Sequence, residues 1–231
     1  MTRRKISRRT AVLGILIPAT LAASDATRAS NAPGDGDLVA FSAHVNRAPK
    51  QSWPGYGVYL GDGLVLTASH VPGPFARNNP HVVVGGRDFP TSLVKEGRID
   101  TVDLTLLSFD PSNLPMRLRL RRMTLCDKDP YPGEAVVVAT PEGVARSRIL
   151  PPEAIPPEFR SRFGQSTIPD VATTGNSGSG VFDAWRQCLL GVMSRKFTIE
   201  LRGKPPRTVD IAKYFVPVKD IRAFIPKDVS F

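Results

Sequence analysis

Three short blocks of this chain carry side chains suited to nucleophilic chemistry. Thr174-Gly175-Asn176-Ser177-Gly178-Ser179-Gly180 sets a serine among glycines, just ahead of the apolar pair Val181-Phe182. Glycine on both sides permits a tight turn, exposes the hydroxyl and lets another chain approach the backbone. Such clusters are also ordinary turn material, so the block gains meaning only from the other two. Gly63-Leu64-Val65-Leu66-Thr67-Ala68-Ser69-His70 puts a histidine just past an apolar run, and Val102-Asp103-Leu104-Thr105-Leu106-Leu107 puts an acid at the head of another. A hydroxyl nucleophile needs a base to take its proton, and that base needs a carboxylate to hold its tautomer and stabilise its cation. His70, Asp103 and Ser177 are the residue types required.

The other candidates for these roles fit less well. His44 lies in a β-type run, and His81 opens one after Asn79-Pro80; neither has the Ala-Ser-His setting, so both read as surface or edge residues. Asp100 and Asp110 flank the same apolar run as Asp103 but do not abut it. Three dispersed histidines without an H-E-x-x-H pair give no zinc-peptidase site, and no metal or other cofactor is expected. Cys126 and Cys188 form either one bridge or two buried thiols, and neither has a cysteine-peptidase setting.

The elements that must position these residues read as β throughout. Apolar runs separated by Gly, Pro and Asn predict strands at 38–45, 57–60, 64–67, 81–84, 91–95 and 104–109. After the Pro-rich stretch 110–115, a second set is predicted at 117–120, 135–139, 144–150, 181–182, 189–193 and 214–218. Only 218–224 has helical spacing. With 22 Pro and 19 Gly and no long 3.6-residue periodicity, an all-β fold follows, in two small barrels or sheets with a cleft between them. The boundaries are 30–37 as a flexible mature N-terminus, 38–110 as the first barrel, 111–116 as a linker, and 117–231 as the second barrel and tail. The Pro-containing segments 150–169 and 200–208 read as functional or disordered loops.

The three blocks, in the order His, Asp, Ser, resemble those of the chymotrypsin-like (trypsin-fold) serine peptidases, in particular the bacterial and glutamyl-endopeptidase-like branches. Subtilisin and the α/β-hydrolases use other orders, and the α/β-hydrolase elbow needs Gly where this chain has Ser179. The resemblance spans 38–225 and implies two six-stranded antiparallel β-barrels with the active site in the cleft between them and a short C-terminal helix. It implies a serine endopeptidase with His70, Asp103 and Ser177 as catalytic residues and the backbone N–H groups of Gly175 and Ser177 as the oxyanion hole. Ser194 is expected near Asp103, with Met193, Ser194, Arg195 and Lys196 along the substrate-binding strand and Val171 and Ala172 at the base of the pocket. No acid stands at 171–172 to favour Lys or Arg, and the histidine of glutamyl-specific relatives is missing near Met193, so a small or medium apolar residue is expected before the scissile bond. Arg195 and Lys196 either attract an acidic side chain, narrow the pocket or lie on solvated surface. Asn176 replaces the Asp of zymogen-activated relatives, so the chain is expected to fold directly into its active form. No further module such as the PDZ domain of HtrA relatives is expected, and a monomer is.

Charge and targeting complete the reading. Lys and Arg number 31 against 21 Asp and Glu, a net charge of +10. Residues 1–29 hold six of the bases and one acid, so residues 30–231 carry 25 bases against 20 acids, a net +5. This first segment has a basic run, an apolar stretch over 11–23 and small residues after it, the layout of an export signal. Ser7-Arg8-Arg9-Thr10 resembles the twin-arginine signal, although Ala11 stands where Phe is usual. The general secretory route stays open, and cleavage after Ala23 and after Ala29 are both compatible. The apolar stretch is shorter than the roughly 20 residues a spanning helix needs, so no stable membrane anchor is expected once the signal is removed. Export from a prokaryotic cytoplasm to the periplasm or the medium follows. The basic clusters at 117–122 and 202–207 lack interleaved aromatics, so no nucleic-acid partner is expected, only a protein or peptide substrate. Two other functions remain: a non-catalytic binding or scaffold protein with an occluded cleft, and an anion-binding surface protein.

Overall fold

The computed structural model describes residues 34–46, 55–169, 177–201 and 207–231. The first sheet contains β1 (Ser42–Asn46), β2 (Gly55–Gly61), β3 (Leu64–Thr67), β4 (His81–Val84), β5 (Arg87–Pro90), β6 (Ser92–Glu96) and β7 (Thr105–Ser108). Its seven strands are ordered β5-β4-β1-β2-β3-β7-β6. The second contains β8 (Ala135–Thr140), β9 (Gly143–Arg148), β10 (Thr167–Pro169), β11 (Gly180–Asp183), β12 (Leu189–Leu201) and β13 (Arg207–Pro217). Its six strands run β10-β13-β12-β11-β8-β9, and every pairing in both curled sheets is antiparallel. The expected all-β fold is therefore present, with one strand more in the first sheet than anticipated.

The extra strand is β5. Gly85 and Gly86 both have positive φ, +58° and +75°, which turns the chain between Val84 and its partner Arg87 in a two-residue hairpin. The strand expected over 117–120 is instead helix α3 (Met116–Arg119), entered through Pro115. Its Arg-Leu-Arg-Leu alternation mimics a strand, but only Leu118 is buried, so a single turn satisfies the pattern. The remaining helices are α1 (Asp35–Val39), α2 (Phe75–Asn78), α4 (Pro157–Phe163) and α5 (Val218–Phe224), all short. Val218, Ile221 and Phe224 form the buried face of α5, as the spacing predicts. Lys95 on β6 donates to the Phe224 carbonyl at 2.6 Å and lies 4.8 Å over its ring, joining the tail to the first sheet. No helix among the described residues is long and apolar enough to cross a membrane.

Why several strands are apolar on every residue becomes clear from where their side chains go. Val65, Tyr59 and Leu107 point into a core enclosed by the first sheet, while their neighbours Leu64, Leu66, Val58, Leu60 and Leu106 point into a core shared by both sheets. Val136 and Val138 of β8 likewise pack inside the second sheet, and Val137 and Ala139 join the shared core. Strand side chains alternate between faces, so a strand lying between two cores needs apolar residues on both. The shared core fixes one sheet against the other.

Candidate active site

His70 and Asp103 meet because their strands pair. β3 and β7 are antiparallel with Thr67 opposite Thr105, so the turn after β3 and the segment before β7 emerge at the same end of the ladder. Asp103 is buried, with 3% of its side chain exposed, and each carboxylate oxygen accepts two hydrogen bonds. Oδ1 accepts from Ser69 Oγ at 2.7 Å and from the His70 backbone N–H at 3.2 Å. Oδ2 accepts from His70 Nδ1 at 2.8 Å and from Ser194 Oγ at 2.5 Å. Burial alone would raise the acid, but the hydrogen bonds from His70, Ser194 and Ser69, with the charge of His70, hold it well below the usual carboxylate range. An ionised carboxylate only accepts, so the proton of a neutral His70 sits on Nδ1 and leaves Nε2 as the basic nitrogen.

Ser177 is delivered from the second sheet and held by both. The Tyr56 backbone N–H on β2 donates to the Ser177 carbonyl at 3.0 Å, and Thr67 Oγ donates to the Tyr56 carbonyl at 2.6 Å. On the other side Gly178 N–H donates to the Met193 carbonyl at 2.7 Å, and Met193 N–H donates to the Ser179 carbonyl at 2.8 Å. Gly178 has φ +92°, and a Cβ there would lie 1.8 Å from the Tyr56 carbonyl oxygen. Only glycine allows this approach of the serine turn to β2.

Ser194 links the two halves of the site. Along the β12–β13 ladder Met193 opposes Phe215 and Arg195 opposes Tyr214, which leaves Ser194 as the extra residue of a bulge. Such a bulge re-aims a side chain out of the regular alternation. Ser194 Oγ donates to Asp103, and its carbonyl accepts from Ser177 Oγ at 2.9 Å. One residue thus contacts both the serine hydroxyl and the carboxylate. Chemically, the arrangement supplies a hydroxyl, an oriented imidazole and a stabilised negative charge behind it.

The other expected site residues divide. Met193 is buried inside the second sheet beside Val181 and Phe215, so its side chain lies in the core and its backbone holds the serine turn. Arg195 is half-buried and Lys196 exposed. Val171, Ala172, Gly175 and Asn176 lie outside the described residues, as do the leader at 1–29 and most of 202–207. Cys126 and Cys188 are joined as a disulfide with Cα atoms 5.0 Å apart. The rival histidines have acids of their own: His44 pairs with Glu142 at 3.5 Å and His81 with Asp88 at 2.9 Å. Asp100 pairs with Arg98, and Asp110 caps the turn at Pro111–Asn113. Among the described residues no three His, Cys, Asp or Glu side chains gather as a metal site. Sequence reasoning missed the roles of Ser69 and Tyr56. The place of Ser69 beside His70 was a usable signal; the role of Tyr56 is a backbone contact without one.

Comparison with solved structures places this architecture. The chain is similar to the Rv3671c protease from M. tuberculosis in its active form, with a TM-score of 0.57 and 15% identity over 96% of this chain and 92% of that one. It is similar to the serine endoprotease from Yersinia pestis, with a TM-score of 0.55 and 20% identity over 83% of this chain and 65% of that one. Kallikrein-related peptidase 10 gives a TM-score of 0.58 and 18% identity over 82% of this chain and 94% of that one. At these identities the likeness establishes a trypsin-like fold. No protein-family model and no curated protein matches the chain.

Proposed function

We propose that this chain is an exported serine endopeptidase. Ser177 attacks a peptide carbonyl, His70 acts first as general base and then as general acid, and Asp103 orients His70 and stabilises its cation. Water then hydrolyses the acyl-enzyme, and His70 takes the proton of that water. The observation that carries this reading is the His70 imidazole held through Nδ1 at 2.8 Å by the buried, ionised Asp103, with Ser177 brought beside the same carboxylate through Ser194. The backbone N–H groups of Gly175 and Ser177 are proposed as the oxyanion hole, a device worth about 3 kcal/mol in the transition state. The trypsin-like fold supports the same reading, since the solved structures it resembles include a serine endoprotease and the active form of a protease.

Export is supported by the basic-then-apolar leader and by the Cys126–Cys188 bridge, which suits an oxidising compartment. The test is labelling of the purified mature protein with a fluorophosphonate beside Ser177→Ala. Covalent modification at Ser177, absent in the variant, is the expected result; folded protein that resists labelling overturns the reading. A second reading, a binding protein that keeps the site but does not turn over, draws on the Ser177 hydroxyl donating to Ser194 at 2.9 Å. Labelling without cleavage of any member of a diverse peptide library would favour it.

A further inference from the structure

Arg195 follows the bulged Ser194 and carries an unusual polar atom. Its Nε is buried and has no hydrogen-bond partner among the described residues. A buried donor without an acceptor is costly, and native proteins rarely leave one without a reason. The residue stands beside the reacting groups, because the preceding carbonyl accepts from Ser177 Oγ and the preceding hydroxyl donates to Asp103. Its charge also acts on Asp100, on the loop of the first sheet that leads to Asp103. Asp100 on that loop is held below the usual carboxylate range, mainly by the Arg98 hydrogen bond and its own backbone N–H, with the charges of Arg98 and Arg195 adding.

The edge of β12 next to the serine is where a peptide would lie. Strand β11 pairs with β12 only up to Val192, so from Ser194 onward β11 no longer covers that edge. A peptide whose carbonyl is attacked by Ser177 runs along this edge as an added strand, with the residues before the scissile bond passing Ser194 and Arg195. We propose that Arg195 is a specificity-determining residue that receives a substrate carboxylate on the amino-terminal side of the scissile bond. The guanidinium of the half-buried Arg195 offers a planar fork that matches a carboxylate. The residue that supplies the scissile carbonyl is a separate matter, because its side chain enters the pocket proper. This inference rests on the peptidase reading for the direction of the bound peptide.

The test uses matched fluorogenic peptides with Glu or Gln at each of the three positions ahead of the residue that supplies the scissile carbonyl. At one position the Glu peptide is expected to exceed its Gln counterpart in kcat/KM by about 10- to 100-fold, the range for a hydrogen bond to a charged group. Arg195→Gln should bring that ratio to about one, and Arg195→Lys, which keeps the charge but loses the fork, should lower it to an intermediate value. Hydrolysis with equal rates for Glu and Gln at all three positions overturns the proposal, as does a wild-type ratio in Arg195→Gln. If Arg195→Gln does not fold, the Lys variant decides by the same ratio. If no peptide is cut and Ser177 resists labelling, the peptidase reading has failed by itself. Binding of the same labelled peptides to Ser177→Ala protein then judges Arg195 separately: a Glu preference supports the carboxylate site, and its absence refutes it.

Discussion

Replacing Asp103 by Asn probes the proposed mechanism most sharply, because the four donors around the carboxylate dictate which way the amide must turn. Oδ1 faces the His70 backbone N–H, a donor that cannot rotate, as well as Ser69 Oγ, which can. Oδ2 faces His70 Nδ1 and the rotatable Ser194 Oγ. The asparagine oxygen therefore stays toward the backbone N–H, and its NH2 group points at Nδ1. The imidazole must then accept at Nδ1 and carry its proton on Nε2, where it is no longer a base. To recover the working tautomer the amide must flip and set its NH2 against the His70 N–H, a loss of about 1–3 kcal/mol. The cation that forms on His70 also loses its charged partner, about 1.5–3 kcal/mol more. Together these raise the barrier by about 2.5–6 kcal/mol and slow the reaction by about 10²- to 10⁴-fold. The assay is the rate of fluorophosphonate labelling of folded Asp103→Asn protein against wild type at pH 7. A rate within a few fold of wild type would refute the assigned roles. The pH dependence of stability gives a second check. The folded acid is depressed, so it contributes stability that is present above its unfolded value of about 3.9 and is lost as pH falls through the lower folded value. The gap in urea midpoint between wild type and Asp103→Asn should therefore narrow as pH drops from 5 toward 2.

Three further outcomes are expected. Ser69→Ala removes one hydrogen bond to a buried carboxylate, so it should cost about 1.5–3 kcal/mol in urea unfolding and slow labelling of Ser177. Gly178→Ala forces a Cβ against the Tyr56 carbonyl at positive φ and should destabilise by about 3 kcal/mol or more, read from the denaturant midpoint. The Cys126–Cys188 bridge closes a segment with a sequence separation of 62, and on the chain-entropy estimate its removal should cost about 4 kcal/mol. Comparison of wild type with the double Cys→Ser variant by urea unfolding checks this; unchanged stability would show that the bridge constrains little.

The fold was legible wherever the local signal matched the element. Apolar runs at Leu64–Thr67 and Thr105–Ser108 marked β3 and β7, and the residues at their adjoining ends are His70 and Asp103. The signal failed where a short segment satisfied two patterns, as at Met116–Arg119, or where exposed polar residues diluted it, as in β5. Strand β12 continues well past the apolar Leu189–Met193 to Leu201, with Lys196 and Thr198 on the exposed face and Phe197 on the buried one. Residue types marked the candidate site, but its wiring was hidden. The family resemblance put Ser194 near Asp103, but Ser69 meets that carboxylate across a sequence separation of 34, and no local pattern encodes a contact at that distance.

The core shared by the two sheets has a consequence for how the molecule comes apart. Alternate residues of the same strands serve both cores, so peeling one sheet away strips apolar cover from strands still folded in the other. Neither half has a low-energy route to open alone, and the two should melt in one cooperative transition. For a chain proposed to cut peptides this is a defence against itself. The strands of the two sheets reach an extended, cleavable form only when both cores open, so self-digestion within them should follow the stability of the pair rather than the looseness of one half.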